Sequence, residues 1–199
     1  MTLPRLLHLA ECAFMILLAY MVVWRLLPAM PQHPQLVVFL VAELLGVVLI
    51  LLQRPGDVAT GVKPVLVGFG GTAAGLLIVP RGVQLVPDLV STSMILGGVA
   101  LSILAKLSLR RSFGVVAANR GVKSGGVYRL VRHPMYMAYI INHIGYLMLY
   151  LSAWNLAVYA LAWILLWMRT DEEEKVLRAD PAYRAYAEKV RSRLIPGLV

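Results

Sequence analysis

Long apolar runs alternate with short polar segments along most of this 199-residue chain. A helix needs roughly 20 mostly apolar residues to cross the core of a bilayer. By this measure the pattern predicts six membrane-spanning helices, at about residues 6–27, 35–52, 64–79, 87–109, 134–151 and 153–168. Because Ser152 alone separates the last two, they should form a tight helical hairpin. The predicted fold is therefore all-α and integral to a membrane.

Prolines and glycines mark the limits and the contacts of these spans. The first span should end at a group of prolines whose last member is Pro34, because proline cannot continue a helix. The second should stop at the sequence RPGD, residues 54–57. In the third, Gly71 and Gly75 have the GxxxG spacing that permits close helix contact.

The segment after the last span has a pattern of its own. Asp180 and Pro181 form a helix start, an N-cap followed by proline at the first helical position. Apolar and aromatic residues then recur at helical spacing: Tyr183, Tyr186, Ala187, Val190 and Leu194. This predicts a helix lying in the membrane interface with its tyrosines at headgroup depth. A solvated tail helix is the alternative.

Composition supports a membrane protein with one domain. The chain is 60% hydrophobic and 15% charged, with a mean hydropathy of +0.76, whereas soluble domains are about 25% charged. Residues 1–199 are predicted to form a single domain, with four apolar spans in 1–110 and a more polar half in 111–199. Cys12 is the one cysteine, so neither a disulfide within the chain nor a cysteine-based metal site is expected. The first apolar run is interpreted as a retained span rather than a signal peptide.

The net charge of +9 is explained by topology. If both termini are cytoplasmic, only Arg25 and Arg81 of the 19 lysines and arginines lie on the outer side. This asymmetry is what the positive-inside rule requires. The predicted location is therefore the inner (cytoplasmic) membrane, and nucleic acid is not expected as a partner because no soluble basic fold remains to bind it.

Two polar clusters interrupt the apolar pattern, at Gly125–Tyr136 and Arg169–Leu177. They lie at neighbouring membrane edges and are predicted to converge into one site. Arg169 and Glu173 are four residues apart and share a helix face, where they can bind charged groups of a ligand or simply form a salt bridge. Glu172 and Glu174 are expected to be solvated.

The first cluster combines a helix start with a flexible loop. Pro134 suits the first turn of a helix, whose free N–H groups can bind an anionic group. The glycine-rich loop 120–126 lets the backbone approach a flat ligand closely. A basic interfacial loop with an aromatic belt remains the alternative.

These clusters together resemble the isoprenylcysteine carboxyl methyltransferase family, which is related to phospholipid N-methyltransferases. The resemblance is carried by GVYRLVRHPMY, a helical hairpin, RTDEEEKVL and the tail DPAYRAYAEKVRSRLIP, and it extends over about Arg111–Pro196. It implies an integral-membrane enzyme that transfers a methyl group from S-adenosylmethionine.

The resemblance also implies roles for particular residues. The residues at the family's cofactor positions are Arg120, Gly121, Val122, Lys123, Tyr128, His133, Pro134, Met135, Tyr136 and Glu173. Arg169 takes the place of the arginine that orients the substrate, and Arg169 and Glu173 are the catalytic pair. The chain departs from the family at Arg120, where eukaryotic members carry histidine, and in the short stretch between Glu174 and Tyr183.

Ionisable residues within the predicted spans are further functional candidates, because such groups in a membrane often have a function. Glu43 lies in the second span and is interpreted as joining helices through a hydrogen bond. His143, in the fifth span, is predicted to bind the acceptor or to join helices. Glu11 lies near a membrane edge and receives no role.

The function predicted from these observations is methyl transfer from S-adenosylmethionine to a lipid or small hydrophobic acceptor at the cytoplasmic face. A carboxylate acceptor would arrive ionised, whereas an amine or thiol would need a base such as Glu173 or His133. Phospholipid N-methylation is one alternative. A non-enzymatic small transporter, with Glu43 and His143 on its pathway, is the other.

Overall fold

The computed structural model describes residues 2–31 and 36–198, which are mostly helical. The helices are α1 Leu3–Leu26, α2 Leu36–Leu51, α3 Val62–Ala73, α4 Asp88–Leu109, α5 Pro134–Leu149, α6 Ala153–Leu177 and α7 Pro181–Lys189. Two strands of two residues each, β1 Asp57–Val58 and β2 Ala118–Asn119, pair antiparallel. The predicted helices are therefore present, and the short β-ribbon was not predicted.

Within residues 2–31 and 36–198, two helical segments are long and apolar enough to cross a membrane, Leu3–Leu26 and Asp88–Ser112. Shorter apolar helices cover Leu36–Leu51 and Val62–Leu77. Large apolar side chains such as Trp24 and Leu89 are exposed on the outer faces of the bundle, as expected where lipid rather than water surrounds a helix. Six spans remain a prediction, and the predicted break at Pro34 and span start at residue 35 lie outside the described residues.

Small residues allow α4 to pack closely against α5, and α3 against α6. A Cβ atom on Gly98 of α4 would lie 2.8 Å from the carbonyl oxygen of Ala138 in α5. The backbones of α4 and α5 are therefore in direct contact. The predicted GxxxG contact is only partly present, because Gly71 faces Leu165 of α6 while Gly75 has no neighbour within 4 Å among the described residues.

The hairpin between α5 and α6 is ordered by Ser152 and Asn155. The Ser152 hydroxyl caps α6 by accepting from the Asn155 backbone N–H. The Asn155 side chain is fully buried; it accepts from the Val79 N–H and donates to the carbonyls of Val79 and Tyr150. This confirms the tight hairpin and ties it to the segment after α3.

The tail helix α7 begins where the sequence predicts it, but it ends at Lys189, before Val190 and Leu194, and its tyrosines have different surroundings. The Asp180 carboxylate accepts from the Ala182 N–H and so caps the helix. Tyr183 and Tyr186 are buried within the protein, and the Tyr186 hydroxyl donates to the Tyr128 carbonyl. The placement of these rings at headgroup depth was therefore wrong: their helical spacing reflects packing against the core.

Candidate functional site

The two polar clusters converge, as predicted, at one end of the helix bundle. The Tyr136 hydroxyl, on the first turn of α5, donates to Glu173 on α6. His133 lies between two carboxylates, with Nδ1 3.5 Å from Glu173 and Nε2 3.2 Å from Glu174. The convergence follows from the lengths of the elements, because α6 continues nine residues past its predicted apolar limit at Met168 and carries its charges to the start of α5.

A pocket opens beside this contact. Its walls come from the end of α4, the following loop, the start of α5, the polar end of α6 and α7: Leu109, Ser112, Gly114, Val116, Ala118, Arg120, Gly121, Val122, Lys123, Tyr128, Arg132, His133, Met135, Tyr136, Glu173, Leu177, Tyr183 and Tyr186. Nine of the ten residues assigned to the cofactor from the resemblance are among them. The exception is Pro134, which is buried at the first turn of α5.

Arg169 lies behind the pocket wall rather than on it. Its side chain is 4% exposed, and its terminal nitrogens donate to the Thr72 hydroxyl at 3.1 Å and to the Gly114 carbonyl at 3.0 Å. Its Nε lies 3.4 Å from Glu173, so the predicted salt bridge is present. Arg169 thus joins α6 to α3 and to the loop before β2.

His143 and Glu43, the ionisable residues of the predicted fifth and second spans, lie apart from the pocket. The ring of His143 stacks on Tyr159 of α6, with 4.3 Å between ring centroids. Glu43 is half-buried on α2. Neither side chain is among those that line the pocket.

The expectation that Glu172 and Glu174 are solvated was wrong. Glu174 is buried and accepts from Arg132 Nε at 2.7 Å, in addition to its contacts with His133 and Arg178. Glu172 is buried as well, beneath the exposed ammonium groups of Lys63 and Lys175. The four consecutive carboxylates at residues 171–174 necessarily face several sides of the helix, and each of them has a cationic partner.

The charges around His133 are mutually stabilising. Burial by itself lowers the pKa of His133, but hydrogen bonds to Glu173 and Glu174 outweigh it, and the net shift is upward. Burial likewise raises the pKa of Glu173, while the His133 hydrogen bond and the Arg169 charge bring it below its usual value. Both ring nitrogens of His133 face carboxylates, so the imidazolium with two donors satisfies the geometry.

Both polar clusters lie within a segment that matches a known protein family. Residues 92–179 match the isoprenylcysteine carboxyl methyltransferase (ICMT) family. The match confirms the resemblance found in the sequence and indicates a membrane methyltransferase. It covers less than half of the chain, from within α4 to the end of the turn before α7. No curated protein and no solved structure matches the chain at a significant level.

Two parts of the site lie outside the ICMT-matching segment. One is α7, whose Tyr183 and Tyr186 line the pocket. Their helical spacing was recognised in the sequence and assigned to the wrong surroundings. The other is Glu11 of α1, which is 2% exposed and contacts the loop that forms one pocket wall. Nothing in the local sequence around Glu11 signals this contact, because its partners on that loop are more than 100 residues away.

Proposed function

We propose that the protein is an integral-membrane methyltransferase that uses S-adenosylmethionine, with its site at the cytoplasmic face of the inner membrane and both termini cytoplasmic. The acceptor is a lipid or small hydrophobic molecule with a carboxylate. One observation carries the proposal: four residues of the RHPMY sequence at the start of α5 (Arg132, His133, Met135 and Tyr136) line the same pocket as Glu173 of α6, and all five belong to the ICMT-matching segment.

The lining of the pocket fits the methyl donor chemically. Tyr128, Tyr183 and Tyr186 offer aromatic surface suited to a nucleoside base. Glu173 supplies negative charge for a sulfonium or ammonium group. Arg120 is 6% exposed, and its buried Nε has no hydrogen-bond partner among the described residues. That donor is available for an anionic group of the cofactor.

The size of the pocket indicates that one wall must move. The pocket encloses about 90 Å³, below the roughly 300 Å³ at which ligand pockets begin. The exposed loop 121–126 is suited to this movement, because Gly121 (φ 94°) and Gly126 (φ 60°) occupy the left-handed region that glycine adopts at little cost. We expect the loop to move outward when ligand binds.

When bound, S-adenosylmethionine supplies an electrophilic methyl group on a sulfonium sulfur. The chain's contribution is to position the acceptor and exclude water, since such a displacement needs little acid–base assistance. Tyr136 and Arg169 both contact Oε1 of Glu173 and hold its carboxylate in place. Direct contact between Arg169 and the acceptor remains a prediction; its present partners favour a role in positioning Glu173 and Gly114.

The surroundings of His133 favour an acceptor that is already ionised. An amine or thiol must lose a proton before it attacks, and this needs a base with an available lone pair. His133 has a carboxylate at each ring nitrogen, and Glu173 receives hydrogen bonds, so neither is suited to accept a proton near neutral pH. The site therefore favours methylation of a carboxylate over phospholipid N-methylation.

A methyl-transfer assay with matched acceptors tests the proposal. The purified full chain in detergent is incubated with S-adenosylmethionine labelled in its methyl group and a prenylated cysteine, either as free carboxylate or as carboxamide. We expect label on the carboxylate only, and loss of labelling in Glu173→Gln but not in Glu188→Gln, whose side chain is exposed on α7. Label on phosphatidylethanolamine instead would support N-methylation. Failure to label any acceptor would contradict the proposal.

The effect of substituting Glu43 distinguishes the transporter hypothesis from the methyltransferase hypothesis. Transport through the bundle would require Glu43 and His143, whereas methyl transfer requires Glu173. We therefore expect Glu43→Gln to retain methyl transfer. Loss of labelling in Glu43→Gln with full labelling in Glu173→Gln would contradict the assignment of the site to Glu173.

A further inference from the structure

The segment from Phe113 to Arg120 forms one wall of the pocket and has little regular structure of its own. Only Ala118 and Asn119 belong to a strand. Backbone groups in such a segment need partners from elsewhere when they are buried. Two charged side chains from distant helices supply such contacts among the described residues: Arg169 of α6 on the Gly114 carbonyl, and Glu11 of α1.

Glu11 of α1 provides the most extensive of these contacts. One carboxylate oxygen accepts from the backbone N–H of both Val115, at 3.0 Å, and Val116. The other accepts from the Gln53 side chain at 2.8 Å and lies 3.6 Å from an Arg120 terminal nitrogen. A buried carboxylate is costly unless it is hydrogen-bonded or paired, and Glu11 has both kinds of partner.

These contacts fix both the backbone and a side chain of the pocket wall. Gly114, Val116, Ala118 and Arg120 line the pocket, and Glu11 contacts two of these four, Val116 and Arg120. The Arg120 guanidinium also donates to the Val116 carbonyl at 3.4 Å and lies so close to Gly114 that a Cβ atom there would collide with it. The wall is therefore tightly packed around the Glu11–Arg120 pair.

We propose that Glu11 is a positioning residue of this pocket: it sets the course of residues 114–116 and holds the Arg120 guanidinium at the wall where the methyl donor binds. The first helix, which lies outside the ICMT-matching segment, is thereby part of the site. The inference rests on the proposed function for the identity of the ligand. The effect of Glu11 on the pocket wall itself does not depend on any ligand.

A double-mutant cycle tests whether Glu11 acts through Arg120. The affinity for S-adenosylmethionine is measured by titration calorimetry for the purified full chain, Glu11→Gln, Arg120→Gln and the double variant. Glutamine keeps an oxygen that can accept from Val115 and Val116 but removes the charge that faces Arg120. We expect each single variant to weaken binding about tenfold, and the double variant to lose little more than either single one.

The alternative outcomes separate the inference from the proposed function. Unchanged affinity in Glu11→Gln, or fully multiplicative losses in the double variant, would overturn the role of Glu11 and leave the methyltransferase proposal intact. Absence of binding in the unmodified chain would overturn the cofactor assignment. Glu188→Gln serves as the control, because Glu188 is an exposed glutamate on α7.

Hydrogen–deuterium exchange without ligand gives a second, independent test. In Glu11→Ala the N–H groups of Val115 and Val116 lose their acceptor, so we expect faster exchange in a peptide covering residues 113–120. Peptides from the α5–α6 hairpin should be unchanged, which shows that the variant remains folded. Unaltered exchange at residues 113–120 would refute the proposed anchoring.

Discussion

The two ends of the helix bundle are held together by different kinds of polar contact. At the site end, ionised groups face one another across α5, α6 and the loop before β2, as in the buried Arg132–Glu174 pair. At the hairpin end, the neutral amide of Asn155 satisfies backbone groups around Ser152. Neutral hydrogen bonds suffice to close a turn, whereas the site end retains buried charges that are costly unless each is paired.

This difference indicates which end is built for binding. Buried charges contribute little net stability compared with well-packed apolar residues, so a cluster of them needs another explanation. Here the cluster surrounds a pocket, and its guanidinium groups include buried donors without a hydrogen-bond partner among the described residues, the Nε of Arg120 on the pocket wall being one of them. The hairpin end has a buried amide whose oxygen and nitrogen both have partners.

The largest effect on stability is expected from Glu174→Ala. Removing this carboxylate leaves Arg132 and His133 buried next to each other without their shared partner. Breaking a buried pair in this way costs about 3–5 kcal/mol. Thermal unfolding in detergent, with Glu188→Ala as the control, measures the loss. A midpoint equal to that of the control would show that the site end does not depend on its charges.

A smaller loss, about 2–3 kcal/mol, is expected from Asn155→Ala, because buried backbone groups of Val79 and Tyr150 lose their partner. Binding of S-adenosylmethionine to the folded variant should be unchanged. Gln84→Ala, which removes an exposed amide near the same end, is the matched control. Weakened ligand binding in Asn155→Ala would contradict the separation of the two ends.

The pH dependence of stability is expected to come from the site end. The pKa of His133 is raised in the folded protein above its ordinary value of 6.5. Its stabilising contribution is therefore complete below pH 6.5 and is lost as the pH rises through the raised value, by at most about 1.4 kcal/mol per pH unit. In His133→Gln the unfolding midpoint should therefore depend less on pH above about pH 6.5. An equally steep profile in that variant would refute the protonated state of His133.

The smallest effect, below about 1 kcal/mol, is expected from Glu172→Gln. Glu172 lies two residues from Glu174 and is also buried, but its cationic partners Lys63 and Lys175 are more than half exposed. Comparison with Glu174→Gln in the same unfolding experiment isolates the effect of partner burial. Equal losses in the two variants would show that proximity in sequence, rather than the surroundings of the partner, determines the cost.

The sequence predicted the helices and the meeting of the clusters because both depend on local pattern. Apolar runs and prolines mark helix limits, and the clusters at Gly125–Tyr136 and Arg169–Leu177 stand out against an apolar background. Their contact through Tyr136 and Glu173 then follows from the hairpin between them. The number of membrane spans and the roles of individual site residues stay predictions.

The contacts that could not be predicted depend on distant partners. Glu11 binds backbone N–H groups, which every residue except proline possesses, so no sequence pattern marks them. Glu174 differs from its neighbours only in which cations the fold brings near it. Tyr183 and Tyr186 have the same helical spacing whether their face meets lipid headgroups or a protein core.

The central claim is that the charged end of the bundle is a binding site for S-adenosylmethionine. Titration calorimetry of this ligand into the purified full chain, into Glu173→Gln and into Asn155→Ala tests it most directly. We expect saturable binding to the unmodified chain and to Asn155→Ala, with affinity reduced at least about tenfold in Glu173→Gln. Equal affinity in all three proteins, or no binding to the folded unmodified chain, would contradict it.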